Sequence, residues 1–221
     1  MRTVLKSGTT VFLPEELANS VIQGFGLLLS VLGLVFIISL AGSKGAAQPV
    51  ASVTVYGVTL VLAYLGSTLY HATWHVRAKR ILRTVDHSTI YLLIAGTYTP
   101  VALLVIKGGL GWTLLAIVWG VALTGLILRN LFPSRLLKLR IGIYIVLGWL
   151  IVAWAKPLYD GIGPLGTGLL VAGGLAYTLG VVFYRWEKLP FNKAIWHVFV
   201  VVGSACHFSS IAFYAVPAYT S

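Results

Sequence analysis

The chain has 221 residues, of which 58% are apolar and only 10% charged, with a formal net charge of +11 and a mean hydropathy of +0.93. A soluble domain of this size covers itself with charged groups, so this composition excludes one and requires most of the outer surface to face lipid. Disorder, collagen, coiled coil and disulfide scaffold fall to the same numbers, and the single cysteine, Cys206, permits neither an intramolecular disulfide nor a thiolate metal cluster.

Crossing a hydrocarbon core roughly 30 Å thick takes about 17–25 apolar residues. In chain order, residues 1–19 read as a cytoplasmic N-terminal segment, followed by seven candidate spans at 20–41, 50–71, 86–106, 110–129, 140–156, 164–184 and 195–216 and an external tail at 217–221. Turn chemistry separates them: Gly42 to Gly45 with Pro49, the basic stretch Arg77 to Arg83, Lys107 to Gly109, Pro133 to Arg135, Pro157 to Pro164, and Glu187 to Asn192. The first run starts near residue 20 and lacks a small-x-small cleavage site, so it is expected to stay in the membrane rather than leave as a signal peptide. Gly166, Gly173, Gly174 and Gly180 give the sixth span a small-residue face suited to close helix packing. The expected fold is all-α, an integral membrane bundle of seven transmembrane helices.

Lys and Arg set the orientation. Arg2 and Lys6, then Arg77, Lys79, Arg80 and Arg83, then Arg129, Arg135, Lys138 and Arg140, then Arg185, Lys188 and Lys193 fall on one side, thirteen cations against Lys44, Lys107 and Lys156 on the other. The N-terminus is therefore expected in the cytoplasm and the C-terminus outside. Basic residues confined to short loops at one membrane face meet anionic lipid head groups, so membrane lipids are the expected partners and nucleic acid is not.

Ionisable groups in or beside a span are costly, and their positions are informative. His71 ends the second span with Ser67 one turn earlier on the same face, Asp86 and His87 open the third, His197 opens the seventh, and Glu16 and Asn19 precede the first. Each falls at the cytoplasmic end of its helix under this topology. Singly they have ordinary explanations: Asp86 as a charge at a helix N-terminus, Glu16 and Asn19 as caps, His71 and His197 as interfacial hydrogen-bonding groups. His75, beside the basic loop, reads as solvated or bound to a head group, and His87 points elsewhere on its helix. His207, ten residues beyond His197, lies roughly 15 Å along the axis and about 80° away in azimuth. It reads as a buried packing group. Together, two imidazoles and a carboxylate at one depth form a set that zinc binds, with an open position for water.

The stretches Ser67-Thr68-Leu69-Tyr70-His71, Asp86 through Pro100, and Ala194-Ile195-Trp196-His197 through Phe208, with Glu16 and Asn19 ahead of them, resemble the hemolysin III branch of the progestin and adipoQ receptor superfamily over nearly the whole chain. The resemblance implies seven spans with an internal N-terminus in a bacterial cytoplasmic (inner) membrane. From the adiponectin-receptor relatives it implies zinc held by histidines, an Asp that positions the attacking water, and ceramidase-like hydrolysis of a lipid amide. Carried onto this chain, His71 and His197 are metal ligands, Asp86 orients or deprotonates the water and can itself ligate, and Ser67 assists. Two positions depart from the motifs: the first His of His-x-x-x-His is Lys193, and the His closing the first motif is Gln23. Direct ligation by Asp86, a nitrogen from His75, a neutral Lys193, or loss of the metal would each accommodate this.

Three functions compete at this stage. One is a zinc-dependent lipid amide hydrolase acting in membrane lipid or fluidity homeostasis. Another is a non-enzymatic sensor or cytolysin without catalytic metal, although the spans offer few polar residues for an intrinsic pore. The third is a transporter using His207 in a proton relay, against which stands the lack of any inverted repeat. A G-protein-coupled receptor is disfavoured by the inverted topology.

Overall fold

The computed structural model describes residues 2–4, 10–131 and 139–219. Lys6, Arg135 and Lys138, counted above for orientation, lie outside the described residues. Helix α1 spans Leu13–Gly42, α2 Ala47–Ala72, α3 Val76–Pro100, α4 Gly108–Leu131, α5 Leu139–Trp149, α6 Ala155–Arg185 and α7 Asn192–Ser210. A two-stranded antiparallel hairpin, β1 (Arg2–Val4) with β2 (Thr10–Phe12), precedes α1. This hairpin is a small exception to the all-α expectation, and three-residue strands are too short for an apolar pattern to announce them.

Among the described residues, six helical runs are long and apolar enough to cross a membrane, so the chain is a multi-pass membrane protein. Their outer faces carry exposed Leu28, Val35, Leu165, Leu179 and Phe213, as a lipid-facing surface requires. The run Ile141–Arg185 is 45 residues long, about 67 Å if straight, more than twice the hydrocarbon thickness. Its helical path is broken at Gly163 (φ 66°, ψ −174°), directly before Pro164. That backbone conformation is open essentially to glycine alone, and a following proline demands the extended ψ that Gly163 adopts.

Two helix starts differ from the apolar-run boundaries, and both differences matter for the site. Helix α1 begins at Leu13, seven residues before the expected span, so Glu16 and Asn19 lie on the helix and not ahead of it. With Gln23 they follow i, i+3, i+7 spacing and share one buried face. Helix α3 begins at Val76, ten residues before the expected span, and its first turns are the basic stretch Arg77 to Arg83. A hydropathy reading stops at charge, whereas a helix continues through it. Asp86 thus sits in the third turn of α3, out of reach of the N-terminal dipole, which falls off within a turn.

Helix α3 runs into a π-helical segment, Val101–Ile106. Pro100 provides the reason: it has no N–H to close the preceding turn, and a wider turn absorbs the break. Helix α7 likewise continues into a π segment, Ile211–Ala215. The core between them joins Tyr56, Leu60 and Tyr64 of α2 to Val101, Leu104, Ile162 and Ile211. A second cluster places Tyr91, Ala95 and Tyr98 of α3 against Leu114 and Val118 of α4 and Leu147 of α5. Hydrogen bonds join Tyr98 Oη to the carbonyls of Leu147 and Gly148, Tyr144 Oη to the carbonyl of His87, and Trp149 Nε1 to Thr178 Oγ1.

Candidate functional site

Four helices bring their polar residues to one end of the bundle. Helix α1 supplies Glu16, Asn19 and Gln23, α2 supplies Ser67 and His71, α3 supplies Lys79 and Asp86, and α7 supplies His197. Gly66, one residue from Ser67, lets α3 come close: a Cβ there would lie 3.6 Å from the Asp86 Cα and 3.3 Å from Val85 Cγ1.

The two histidines meet edge to face with ring centroids 4.9 Å apart and their Nε2 atoms 3.1 Å apart. They are buried, with 3% and 6% exposure. On the far side of His71, Nδ1 lies 2.9 Å from Glu16 Oε2, and the same oxygen accepts from Lys79 Nζ at 3.0 Å. On the far side of His197, Nδ1 lies 2.5 Å from Gln23 Nε2, which also donates to Ser67 Oγ at 3.0 Å. With its oxygen accepting from Gln23, Ser67 directs its own proton to the Asp86 carboxylate. Asn19 Nδ2 approaches His71 Nδ1 at 3.4 Å, a weak contact beside the closer Glu16.

The residues named from sequence thus divide. Ser67, His71, Asp86 and His197 come together, and so does Gln23. His75 is exposed and caps α3, accepting from the backbone of Ala78. Lys193 is exposed, with its backbone N–H donating to Glu15 Oε1. Both lie outside the buried polar cluster, although Lys193, one turn before His197 on α7, is near enough for its charge to act on that histidine. Glu16 bonds a histidine and a lysine across helices, in place of the cap the sequence suggested. His207 lies deep in the bundle, with Nε2 3.1 Å from the Leu170 carbonyl and its ring against Tyr177. Gly173 makes room for that ring and also lets α6 approach the α7 backbone, since a Cβ there would lie 3.0 Å from the Gly203 carbonyl oxygen.

The sequence places Lys79 only among the cations that set the orientation, because it sits among surface-type residues. It is the inward member of that set: its side chain is 11% exposed, it donates to the carbonyls of Tyr70 and Thr73 at the end of α2, and it lies 4.8 Å from the Tyr70 ring centroid. It completes the C-terminus of α2 just beyond His71, where cations are favoured.

A tetrahedral zinc shell with nitrogen at about 2.0–2.1 Å puts neighbouring nitrogens roughly 3.3 Å apart. The His71 and His197 Nε2 atoms are within a few tenths of an ångström of that spacing. Glu16 on His71 Nδ1 is the carboxylate partner that metal-bound imidazoles commonly have. That spacing is compatible with both imidazoles on one ion. Among the described residues, no three His, Cys, Asp or Glu side chains converge as a complete shell requires.

The sequence model of the family described as Haemolysin-III related matches residues 12–208. The chain belongs to that family, and through it to the progestin and adipoQ receptor superfamily. It is 48% identical over 208 residues to Hemolysin-3 of Bacillus cereus, covering 94% of this chain and 95% of that one. It is also 48% identical to the Hemolysin-3 homolog of Bacillus subtilis (strain 168), covering 91% and 95%. The human Monocyte to macrophage differentiation factor is 32% identical over 168 residues, 71% of this chain and 67% of that protein. All the site residues above lie inside the family match.

Proposed function

We propose that this haemolysin-III family protein is a seven-span protein of a bacterial cytoplasmic membrane that binds zinc through His71 and His197 and hydrolyses an amide of a membrane lipid, in the service of lipid and fluidity homeostasis. The observation that carries the proposal is the facing pair of buried Nε2 atoms, 3.1 Å apart.

Seven crossings follow from reading the 45-residue run as two. Tyr144, near its start, bonds the carbonyl of His87, and Tyr184, near its end, accepts from Asn192 at the base of α7. Both partners belong to the histidine end of the bundle, while Leu158 and Ile162 pack with Val101, Leu104 and Val105. A run that begins and ends at one face has crossed twice, with Gly163 at the reversal. The excess of Lys and Arg then puts the histidine end in the cytoplasm, where Arg77, Arg80 and Arg83 meet anionic head groups.

Zinc, when bound, supplies Lewis acidity that polarises a carbonyl and acidifies water. The chain's own residues do the rest. Asp86 would take the proton of the attacking water as general base. Ser67 holds the Asp86 carboxylate in place. Glu16 fixes the proton on His71 Nδ1, which leaves the Nε2 lone pair free for a metal.

A second reading, a metal-free sensor or cytolysin, is favoured by a different feature of the same contacts. Gln23, His197, His71 and Glu16 form a hydrogen-bonded chain that satisfies both imidazoles without any ion. The printed name of the Bacillus cereus relative, Hemolysin-3, points the same way.

Elemental mass spectrometry of the detergent-purified chain, compared with its His71→Ala, His197→Ala double variant, separates the two. Stoichiometric zinc in the parent and none in the variant supports the first reading and directs assays to lipid amides. A parent without metal after zinc loading removes the hydrolase reading and leaves the second.

A further inference from the structure

At the end of the bundle opposite the histidine pair, a single residue, Lys107, separates the π segment Val101–Ile106 from α4. Lys107 has φ 57° and Gly108 φ 55°, and a residue with a Cβ seldom adopts the first of these. The reversal sets Lys107 at the wall of a cavity of about 260 Å³, together with Gln48, Leu103, Gly108, Trp112 and Tyr219.

The acceptors of this wall are taken, and its donors are not. The Leu103 carbonyl accepts from Gln48 Nε2 at 3.3 Å, and the Ala102 carbonyl from the Lys107 N–H at 3.0 Å. Lys107 Nζ donates to the carbonyls of Ala218 at 3.0 Å and Tyr219 at 3.4 Å and lies 5.8 Å from the Tyr219 ring centroid. An ammonium has three N–H groups, so one is left over. Among the described residues no carboxylate pairs with it, the ion pairs being those of Glu16 with His71 and Lys79 and of Asp160 with Lys156. The first bonded N–H of α4 is that of Gly111, to the Lys107 carbonyl, which leaves those of Gly109 and Leu110 in the open first turn. Nothing lies within 4 Å of where a Cβ on Gly108 or Gly109 would be, so that turn can be approached. A cation, free backbone donors and the positive end of α4 beside one cavity select an anion.

The cavity is too small for a drug-sized molecule but has room for a phosphate and its glycerol. It also lies at the lipid boundary. Trp112 is exposed, and so is Leu123, eleven residues on and therefore on the same face of α4. Tryptophan favours the zone between head groups and hydrocarbon. We propose that this cavity binds a phosphate group through Lys107 and the first turn of α4, and that the phosphodiester of an anionic membrane lipid supplies it, with Trp112 flanking the start of the chains. The site is separate from the histidine pair and independent of any chemistry there.

The test is native mass spectrometry of the full-length protein released from detergent, titrated with phosphatidylglycerol, phosphatidylcholine or inorganic phosphate. The parent is expected to hold its first phosphatidylglycerol more tightly than later copies and more tightly than phosphatidylcholine, whose head group carries its own cation. Lys107→Gln weakens that first site by about tenfold, the scale of one charge-assisted hydrogen bond, and Lys107→Arg retains it. Lys156→Gln, which removes an exposed cation already paired with Asp160, leaves it unchanged. Because Lys107 also holds the Ala218 and Tyr219 carbonyls, Trp112→Leu is the second variant: it leaves the turn intact and weakens the same site. Equal phosphatidylglycerol affinity in the parent, Lys107→Gln and Trp112→Leu overturns the inference. An equal loss in Lys156→Gln does so too, since it marks a diffuse effect of charge. Inorganic phosphate bound with the same dependence on Lys107, and not displaced by phosphatidylglycerol, overturns the lipid source and supports the phosphate site.

Discussion

Lys79 Nζ lies 3.0 Å from Glu16 Oε2, joining the third helix to the first through two side chains that are 11% and 9% exposed. The same carboxylate oxygen holds His71, so this ion pair is the outer brace of the histidine pair. Truncating one partner leaves the other as a buried charge, which commonly costs about 3 kcal/mol or more, whereas removing both costs less. Lys79→Met is therefore expected to lower the thermal midpoint in detergent markedly, and Glu16→Gln combined with it to recover part of the loss. A double variant less stable than either single one would show that the pair does not act as a unit.

Asp86 and Ser67 carry the proton handling in the proposed chemistry. Asp86→Asn keeps the volume and removes the base, and a drop of roughly 10²–10⁴-fold in kcat is expected, the usual range for a general base. Ser67→Ala is expected to fall less, because it only orients Asp86. Turnover of a lipid amide by zinc-loaded protein measures both, and parallel metal analysis distinguishes lost chemistry from lost zinc.

Gly163 tests the reversal within the long helical run. No atom lies within 4 Å of where its Cβ would be, so Gly163→Ala introduces no clash and isolates the backbone cost of φ 66°. A loss of about 1–3 kcal/mol is expected, read as a lower unfolding midpoint. An unchanged midpoint would place the chain reversal elsewhere.

Gly26 tests the packing just above the site. A Cβ there would overlap the Tyr64 ring, whose hydroxyl donates to Ser204 at 2.9 Å. Ser204 is also bonded to Tyr177 at 2.8 Å, so one displaced ring disturbs contacts among α2, α6 and α7. Gly26→Ala is expected to destabilise by about 1–3 kcal/mol, the usual cost of overpacking. Gly42→Ala, with nothing within 4 Å, is expected to be nearly silent and serves as the control.

Membrane topology is open to a direct check, since Cys206 is the only cysteine. In a Cys206→Ser background, cysteines introduced at Lys44 and Lys188 are expected to label from opposite sides of the membrane, Lys44 from outside. Labelling from the same side would refute the orientation assigned from basic residues.

The sequence alone determined that this is a multi-pass membrane protein, because composition and long apolar runs are local properties that need no partner to be read. It also pointed to Ser67, His71, Asp86 and His197, because a polar residue inside an apolar run is conspicuous wherever it ends up. Helix starts were hidden, since α1 and α3 continue into charged turns that carry no apolar signal. Only the tertiary structure decided which ends meet: that His71 faces His197 across 126 positions of sequence, that Lys79 turns inward while its neighbour His75 stays exposed, and that Gln23 lies between Ser67 and His197. Those are relations between helices, fixed by how Gly26, Gly66 and Gly173 let their neighbours approach, and helical spacing in one chain segment contains no information about the face it will meet.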